Sequence, residues 1–448
     1  MNSDPKFISG FSKLTKPEKI SWLVKKFFSS NPIDAAREFA SFWHDNVEAQ
    51  ELFDGFSENT LTNFYLPYSV APNFLINEKE YCVPMVTEES SVVAACSKSA
   101  KYWLSRGGFK TTVKGKIKIG QIHFYWSGAT EDIFSFFSNE RETLINAVKQ
   151  LTKNMEQRGG GIIDLELLDF NDLEEGYYQI KLSCDTKDSM GANFINSILE
   201  EISKLLVDAS YNNKFLKDGE LNVIMSILSN YTPDCLVRCE VSCAVEELGK
   251  FPNKVGPTEF ADRFYKAVKI AHRDVFRTTT HNKGIFNGID AVVLATGNDF
   301  RAVEAAGHAY ASRSGKYTSL TDCEITNGQF RFWLEIPMSI GTVGGLTSLH
   351  PLAKRSLQLL GNPSAEELMQ VIAATGLAQN FGAIKSLITT GIQRGHMKMH
   401  LTNILSQMEA TQNEKSLAQE HFLERTISFQ AVRDFIQNLR MKRSILPK

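Results

Sequence analysis

Four short segments, far apart in the chain, each carry a side chain that could act on a reacting carbonyl group. They lie at residues 83–89, 281–285, 297–299 and 393–397, and they supply Glu89, Lys283, Asp299 and His396. A cation can stabilise the oxyanion that forms when hydride attacks a thioester, and a carboxylic acid can supply the proton. An imidazole can protonate the departing thiolate. Together the segments predict a site that reduces a thioester.

Each segment taken alone has a simpler interpretation. A lysine and an aspartate such as Lys283 and Asp299 most often form a solvated ion pair. His396 and His400 face one side of a predicted helix, but Glu or Cys at a suitable spacing does not accompany them. We therefore predict no metal site.

Composition limits the class of protein. The 448 residues suggest roughly three domains at about 150 residues each. The 49 basic and 51 acidic residues give a net charge of -2, which provides no field for nucleic acid or an anionic membrane. Apolar runs stay well short of the ~20 residues that cross a bilayer. These features favour a cytoplasmic enzyme.

The seven cysteines do not resemble a disulfide framework, and Cys-x-x-Cys does not occur. Cys235, Cys239 and Cys243 are evenly spaced, but they lie in an alternating, strand-like stretch where cysteine acts as a small apolar residue. We predict that these three thiols are reduced core residues.

The elements that must position the reactive side chains predict an α+β fold. Helical periodicity marks residues 16–28 and 32–44, and strand patterns mark 73–77 and 81–85. The small, apolar run 90–97 predicts a helix buried at the centre of a large domain. Lys283 lies in a polar stretch, and a predicted strand at 291–295 would deliver Asp299 at its carboxyl end.

The pattern of apolar and charged residues changes from about residue 111 to 221. Ile117, Ile119, Ile122, Phe124 and Trp126 lie on largely alternating positions. A charged helix at 141–155, strands at 162–168 and 177–182, and a helix at 193–207 follow. This order predicts a small ferredoxin-like domain inserted in the large one.

The domain limits follow from these patterns. We predict a first part of the large domain at 1–112, the small domain at 113–220 and the rest of the large domain at 221–390. Helices from 357 to 392, with a turn at 361–363, end that part. A helical flap at 391–448 could swing over a site.

Two glycine-containing segments could approach a ligand closely. Residues 188–193 open a predicted helix whose free N–H groups could hold a phosphate, and residues 341–345 form a loop after a predicted strand. Capped helices and tight loops are common, so neither segment decides the question alone. The dinucleotide pattern Gly-x-Gly-x-x-Gly is missing from 188–193, which disfavours a standard Rossmann fold.

Several long motifs resemble class II 3-hydroxy-3-methylglutaryl-coenzyme A (HMG-CoA) reductases over nearly the whole chain. They are Ser-Gly-Phe-Ser-Lys-Leu at 9–14, Asp-Ser-Met-Gly-Ala-Asn at 188–193, the lysine and aspartate segments 281–290 and 297–304, Gly-Leu-Ala-Gln-Asn at 376–380, and 391–400. Their number and order make chance agreement implausible.

The resemblance implies reduction of HMG-CoA to mevalonate and coenzyme A with two nicotinamide hydrides. It implies that Lys283 stabilises the oxyanion, Glu89 donates a proton beside Asp299, and His396 protonates the coenzyme A thiolate. It further assigns the acyl group to Ser91, Arg277 and Asn287. For the dinucleotide it implies Asp188, Met190, Gly191 and Asn193, with Asn230 and Gln379 as additional candidates.

The cofactor is expected to be NADPH, with NADH as the alternative. Family members that use NAD carry an acidic residue twelve positions before the residue matching Asp164, and here Thr152 stands at that position, followed by Lys153. A neutral residue beside a cation accepts a 2′-phosphate better than a carboxylate does. The same catalyst working in reverse, oxidising mevalonate with NAD, is the rival interpretation.

Two departures from the family pattern concern neighbouring segments. Ser90 stands where a proline is usual after Glu89, and Thr62 replaces the glycine that ends a Glu-Asn-Val-Ile-Gly segment at the family's dimer contact. The resemblance implies a homodimer with shared active sites, so that Glu89 and Lys283 could come from different chains.

Overall fold

The structure is a computed structural model that describes residues 7–211, 213–216, 218–391, 401–402, 404–422, 425 and 427–445. The chain divides into two compact units, Met1–Pro67 and Tyr68–Lys448. In the first unit, Thr15 and Glu18 form a capping box that starts the first helix. Its three α-helices are α1 (Lys16–Phe27), α2 (Pro32–Ser41) and α3 (Val47–Asp54).

The second unit opens with the predicted hairpin. Strands β1 (Tyr68–Ile76) and β2 (Lys79–Val86) pair antiparallel, and Asn77 and Glu78 make the turn with positive φ. Helix α4 (Val92–Leu104) follows directly. This order leaves Glu89 in the short link between a strand and a helix.

A four-stranded antiparallel sheet forms one wall of the large core. Its order is β3-β8-β10-β9, with β3 at Lys110–Val113, β8 at Leu236–Ala244, β9 at Thr321–Thr326 and β10 at Gln329–Pro337. Cys235, Cys239 and Cys243 are buried in and beside β8. Burial raises the pKa of the Cys243 thiol to about 11, as expected of a core residue.

Further helices complete the large core. They are α8 (Pro257–Ala271), α9 (Val275–Ala295), α10 (Phe300–Ala311), α11 (Leu346–Leu349), α12 (Pro351–Leu359) and α13 (Ala365–Thr389). Ser364 and Glu367 cap α13, and Gly361 and Asn362 make the predicted turn before it with positive φ.

Helix α13 is the central helix of the fold. Fifteen of its 25 residues are buried, and it packs on α9, α4 and β8. Residues 92–97 do begin a helix, α4, but the expectation that it is the helix buried at the centre of the large domain is wrong, because its Ala94 and Lys98 are exposed. An 18-residue window of α13 reaches a mean hydropathy of 1.2, and 67% of it is buried, which is typical of a core helix.

Residues 291–295 do not form the predicted strand. They end the 21-residue helix α9, which starts where the Asp274 side chain accepts a hydrogen bond from the Phe276 amide at 3.0 Å. A short apolar run fits a buried strand and a buried helix equally well, and here the tertiary contacts decide for the helix. Lys283 therefore lies in mid-helix.

The small sheet has the order β5-β6-β4-β7, and every pair is antiparallel. Its elements are β4 (Ile117–Trp126), α5 (Thr130–Ala147), α6 (Lys149–Glu156), β5 (Gly161–Asp169), β6 (Tyr177–Asp185), α7 (Ala192–Ser210) and β7 (Leu221–Leu228). The helix predicted at 141–155 is thus two helices. Strand β7 extends past the predicted limit of 220.

Two helices, Gln412–His421 and Phe429–Ile445, lie near the C-terminus. Leu405, Ala418, Val432 and Ile436 are buried in a small core between these segments. The Arg440 guanidinium bonds the Glu414 carboxylate at 2.9 Å and holds the pKa of Glu414 at about 2. These contacts give this helical region a core of its own.

Candidate active site

Lys283 and Glu89 form an ion pair within one chain. The Lys283 Nζ lies 2.5 Å from the Glu89 Oε2, although the residues are 194 positions apart in sequence. Helix α9 carries the amine and the link between β2 and α4 carries the carboxylate. The packing of α9 on β2 brings the two elements together. The predicted amine and the predicted proton donor therefore meet.

This ion pair does not serve mainly to stabilise the fold. The Lys283 side chain is 59% exposed and the Glu89 side chain 41% exposed. Exposed ion pairs contribute about 0–1 kcal/mol to stability. An exposed amine is, however, accessible to a carbonyl substrate and can donate a hydrogen bond to its oxygen, and the neighbouring carboxyl group can do so when it is protonated.

Asp299 makes different contacts from those expected. It caps helix α10, where its Oδ1 accepts hydrogen bonds from the amides of Arg301 at 3.0 Å and Ala302 at 3.3 Å. Its carboxylate also pairs with the Arg301 guanidinium at 3.2 Å. Among the described residues, an ion pair between Asp299 and Lys283 is not formed.

A second carboxyl group lies two helical turns after Lys283 on α9. Asp290 is largely buried, and burial, followed by the nearby Glu304 and Glu88 carboxylates, raises its pKa to about 8. One of its oxygens is buried and makes no hydrogen bond within the described part of the chain. The sequence motifs did not indicate Asp290 as an acid near the site, although its i+7 spacing from Lys283 places both residues on one helix face.

The three residues expected to hold the acyl group lie on the same two elements as the ion pair. Ser91 is the N-cap of α4 with φ +76°, and Asn287 is one turn after Lys283 on α9. Arg277 is half-buried near the start of α9. Next to it, burial and the Arg277 charge lower the pKa of His281 to about 3, so this imidazole is neutral. His396 lies outside the described residues.

The segment expected to meet the dinucleotide packs against the glycine-rich loop at 341–345. The Asp188 carbonyl accepts a hydrogen bond from the Thr342 amide at 2.8 Å, and its carboxylate accepts one from the Ala365 amide at the start of α13 at 2.7 Å. A Cβ on Gly341 would lie 2.5 Å from the Met190 amide nitrogen. This close backbone approach requires a glycine.

Gly191 has φ +92° and is the N-cap of α7. Asn193 is exposed in the first turn of this helix. Within the described residues, a side chain does not cap α7, so its first N–H groups lack a side-chain acceptor. Such a helix start can accept an anionic group.

A cavity of about 440 Å³ lies beside Asp188. Its lining includes the cationic side chains of Lys116, Lys118, Arg158 and Lys187. The sequence motifs did not indicate these four cations. Two of them, Arg158 and Lys187, stand just before strand β5 and just after strand β6, and this placement was the available signal.

The lining of this cavity does not include Thr152, Lys153, Asn230 or Gln379. Thr152 is buried, and its hydroxyl donates to the Glu156 carboxylate at 2.5 Å, while Lys153 is exposed on α6. Asn230 is exposed after β7. Gln379 is buried on α13 at its contact with Gly288 of α9.

The chain is thus an α+β protein with an exposed amine–carboxylate pair on the large domain and a cation-lined cavity where the small sheet meets that domain. The family model of hydroxymethylglutaryl-coenzyme A reductase matches residues 24–401. The chain belongs to this family. The expected α+β fold and the resemblance stated above are thereby confirmed.

Individual relatives agree over most of the chain. The 3-hydroxy-3-methylglutaryl-coenzyme A reductase of Archaeoglobus fulgidus is 36% identical over 415 residues, covering 91% of this chain and 88% of the relative. A probable reductase of Borreliella burgdorferi is 32% identical, covering 84% and 83%.

A solved structure of the class II reductase from Streptococcus pneumoniae bound to NADPH in open conformations superimposes with a TM-score of 0.70. It is 35% identical and covers 92% of this chain and 99% of that chain. The similarity therefore includes both the ion pair's elements and the small sheet.

Proposed function

We propose that this protein reduces HMG-CoA to mevalonate and coenzyme A with two NADPH. The observation that carries the proposal is the Lys283–Glu89 pair at 2.5 Å, in a chain that belongs to the reductase family. The reaction consumes two hydrides and two protons. It forms two C–H bonds and breaks the C–S bond, and the thiolate leaves as coenzyme A.

The protein's part is charge and proton management. Lys283 donates a hydrogen bond to the thioester oxygen, and this bond strengthens as the oxygen becomes an oxyanion, a contribution typically worth about 3–4 kcal/mol. Glu89 lies within hydrogen-bond distance of the same amine, and in its protonated form it donates the proton that the oxygen needs. The same pair then serves the second reduction, that of mevaldehyde.

Five further residues have roles in this proposal. His396 protonates the departing thiolate, and Asp299 tunes the local field from the start of α10. Arg277 binds the free carboxylate of the substrate, for which a guanidinium is well shaped, and Ser91 and Asn287 bind its hydroxyl and carbonyl oxygens.

The residues around the cavity fit a phosphorylated dinucleotide. NADPH supplies the hydride when it is bound, and the cations Lys116, Arg158 and Lys187 match its phosphate groups in charge. Asp188, Met190, Gly191 and Asn193 lie where backbone can approach it. We infer that Arg158 recognises the 2′-phosphate, since Thr152 is buried and turned to Glu156. The oxidative direction with NAD is not favoured, because the similar Streptococcus pneumoniae enzyme is bound to NADPH.

The remaining features complete the proposal. The protein is a class II reductase, a cytoplasmic homodimer with shared sites, and its C-terminal segment from 391 onward forms the flap. The small domain begins near 113 and extends to the end of β7 at 228, and the large domain consists of the segments before and after it.

The test is the stoichiometry of purified protein mixed with HMG-CoA and NADPH. We expect two NADPH oxidised for each mevalonate and each free thiol formed. Arg158→Met should raise the KM for NADPH by about tenfold and leave the KM for NADH unchanged, because only NADPH carries the 2′-phosphate. Protein that consumes no NADPH with HMG-CoA, or that releases no thiol, would contradict the proposal.

A further inference from the structure

Lys118 is a charged residue in the apolar row of a core strand. On β4 the residues of the inner face alternate with half-exposed ones, and Lys118 shares the inner row with Gly120, Ile122, Phe124 and Trp126. It is 5% exposed. Burial lowers the pKa of its ammonium group. A lysine at such a position needs a physical reason.

The three N–H bonds of the ammonium group all have protein acceptors. The Lys118 Nζ lies 2.7 Å from the Thr186 Oγ1, 2.5 Å from the Ser189 carbonyl oxygen and 3.4 Å from the Ile340 carbonyl oxygen. All three acceptors are neutral. Within the described residues, a carboxylate does not lie at ion-pair distance from this amine.

These acceptors belong to the two segments that form the expected dinucleotide site. Ser189 lies between Asp188 and Met190, and Ile340 precedes the loop 341–345 that packs against them. The Thr186 hydroxyl also donates to the Ser189 carbonyl at 2.7 Å. A single ammonium group on the small sheet thus joins one loop of the small domain to one loop of the large domain.

Burying an ion costs several kcal/mol, and an apolar residue of similar volume would avoid this cost. The cost is offset only by well-formed hydrogen bonds, which here fix two backbone carbonyls. Because Lys118 uses all its donors on protein atoms, it cannot bind a cofactor phosphate directly without releasing one of the loops.

We propose that Lys118 is a positioning residue that sets the two dinucleotide-binding loops against each other before the cofactor binds. It acts through Ser189 and Ile340 and does not read the 2′-phosphate. The inference rests on the proposed function only in taking a nicotinamide dinucleotide as the ligand of these loops.

The test measures dissociation constants of NADPH and NADH by fluorescence titration, together with the KM of both substrates and thermal unfolding. Lys118→Met should weaken NADPH and NADH equally, by about tenfold or more. The KM for HMG-CoA should stay within about twofold. Thr186→Val, which removes one acceptor and keeps the charge, should weaken both dinucleotides by about threefold.

Lys181→Met is the matched control, since it removes a half-exposed lysine, paired with Glu166, from the neighbouring strand β6. It should leave both dissociation constants unchanged. Equal binding by wild type and Lys118→Met, or a loss limited to NADPH, would overturn the inference. If Lys118→Met does not fold, Thr186→Val decides: unchanged dinucleotide binding in that variant overturns the inference as well.

Failure of the proposed function has a different signature. Wild-type protein that binds dinucleotide but does not reduce HMG-CoA contradicts the proposed reaction, while the binding comparison still tests Lys118.

Discussion

Lys283 and Lys118 carry the same charge in opposite surroundings. Lys283 is 59% exposed on a helix and pairs with a carboxylate, whereas Lys118 is 5% exposed on a strand and bonds only neutral oxygens. The first can present an N–H donor to a substrate, and the second has no donor to spare. A reactive amine and a positioning amine therefore differ in the partners of their hydrogen bonds. The reactive amine can donate to a substrate, and the positioning amine donates only to the protein.

The two lysines should therefore differ in what their loss changes. Replacing the exposed amine should affect turnover and leave folding nearly unchanged. Replacing the buried amine should affect cofactor affinity, because two loops lose a shared partner. Four predictions test the roles of the residues around these two amines.

The largest effect is expected for Lys283→Met. Loss of the oxyanion donor should lower kcat by about 10²–10³ or more, while the thermal midpoint stays nearly constant because the pair is exposed. Steady-state kinetics and calorimetry measure the two quantities. Lys266→Met on α8, which removes another exposed paired lysine, is the control and should change neither. A Lys283→Met protein that is destabilised but active would contradict the catalytic role of Lys283.

A large effect is also expected for Glu89→Gln. Removing the proton donor should lower kcat by about 10²–10⁴, since general acid catalysis has this typical value. Glu88→Gln alters the adjacent carboxylate, which does not pair with Lys283, and should change kcat by less than about threefold. The pair of variants is compared in the same assay. Equal losses from both would mean that local charge, and not the contact with Lys283, matters.

A smaller effect, on the pH dependence of stability, is expected from Asp290. Its folded-state pKa is raised from 3.8 to about 8, so the folded chain binds this proton more tightly than the unfolded chain does. Protonation thus favours folding, and this group's contribution falls as pH rises from about 4 to 8.

Asp290→Asn removes the titrating group and should flatten this decline. At pH 8 the variant should be more stable than wild type by about 1–2 kcal/mol. Thermal unfolding at several pH values between 4 and 8 measures the effect. A variant that keeps the full pH dependence of wild type would assign it to other groups.

The smallest effect concerns the cap at Asp299. Asp299→Asn preserves a capping oxygen and should leave stability unchanged, whereas Asp299→Ala should lose about 1 kcal/mol. Activity separates the two roles of this side chain. If Asp299 also tunes the catalytic field, Asp299→Asn should lower kcat despite normal stability. Unchanged kcat would restrict Asp299 to the cap.

Sequence patterns predicted much of the fold correctly where the signal was local. The strands at 73–77 and 81–85, the turn at 361–363 and the strand carrying Cys239 all follow from neighbouring residues. The strand predicted at 291–295 was wrong, because four or five apolar residues cannot distinguish a buried strand from the end of a buried helix. The helix predicted at 141–155 had the wrong boundaries, because helix ends depend least on the local sequence.

Alternation in the sequence did not decide which residues form the inner face of β4. Ile117 and Ile119 are apolar, but they are half-exposed. Lys118 and Gly120 are inside. Gly120 is required there because α7 packs so closely that a Cβ would lie 2.6 Å from Ile195 and from Leu199. Neither neighbour is close to Gly120 in sequence.

The sequence by itself determined the family, the reactive residue types and the segments that carry them, because motifs and composition are properties of the chain. Tertiary structure alone decided that Lys283 meets Glu89 across 194 positions, that Asp299 instead caps a helix beside Arg301, and that Lys118 lies inside the small sheet. The physical reason is that ion pairs, burial and shared hydrogen bonds depend on which distant elements pack together, and no local pattern encodes that choice.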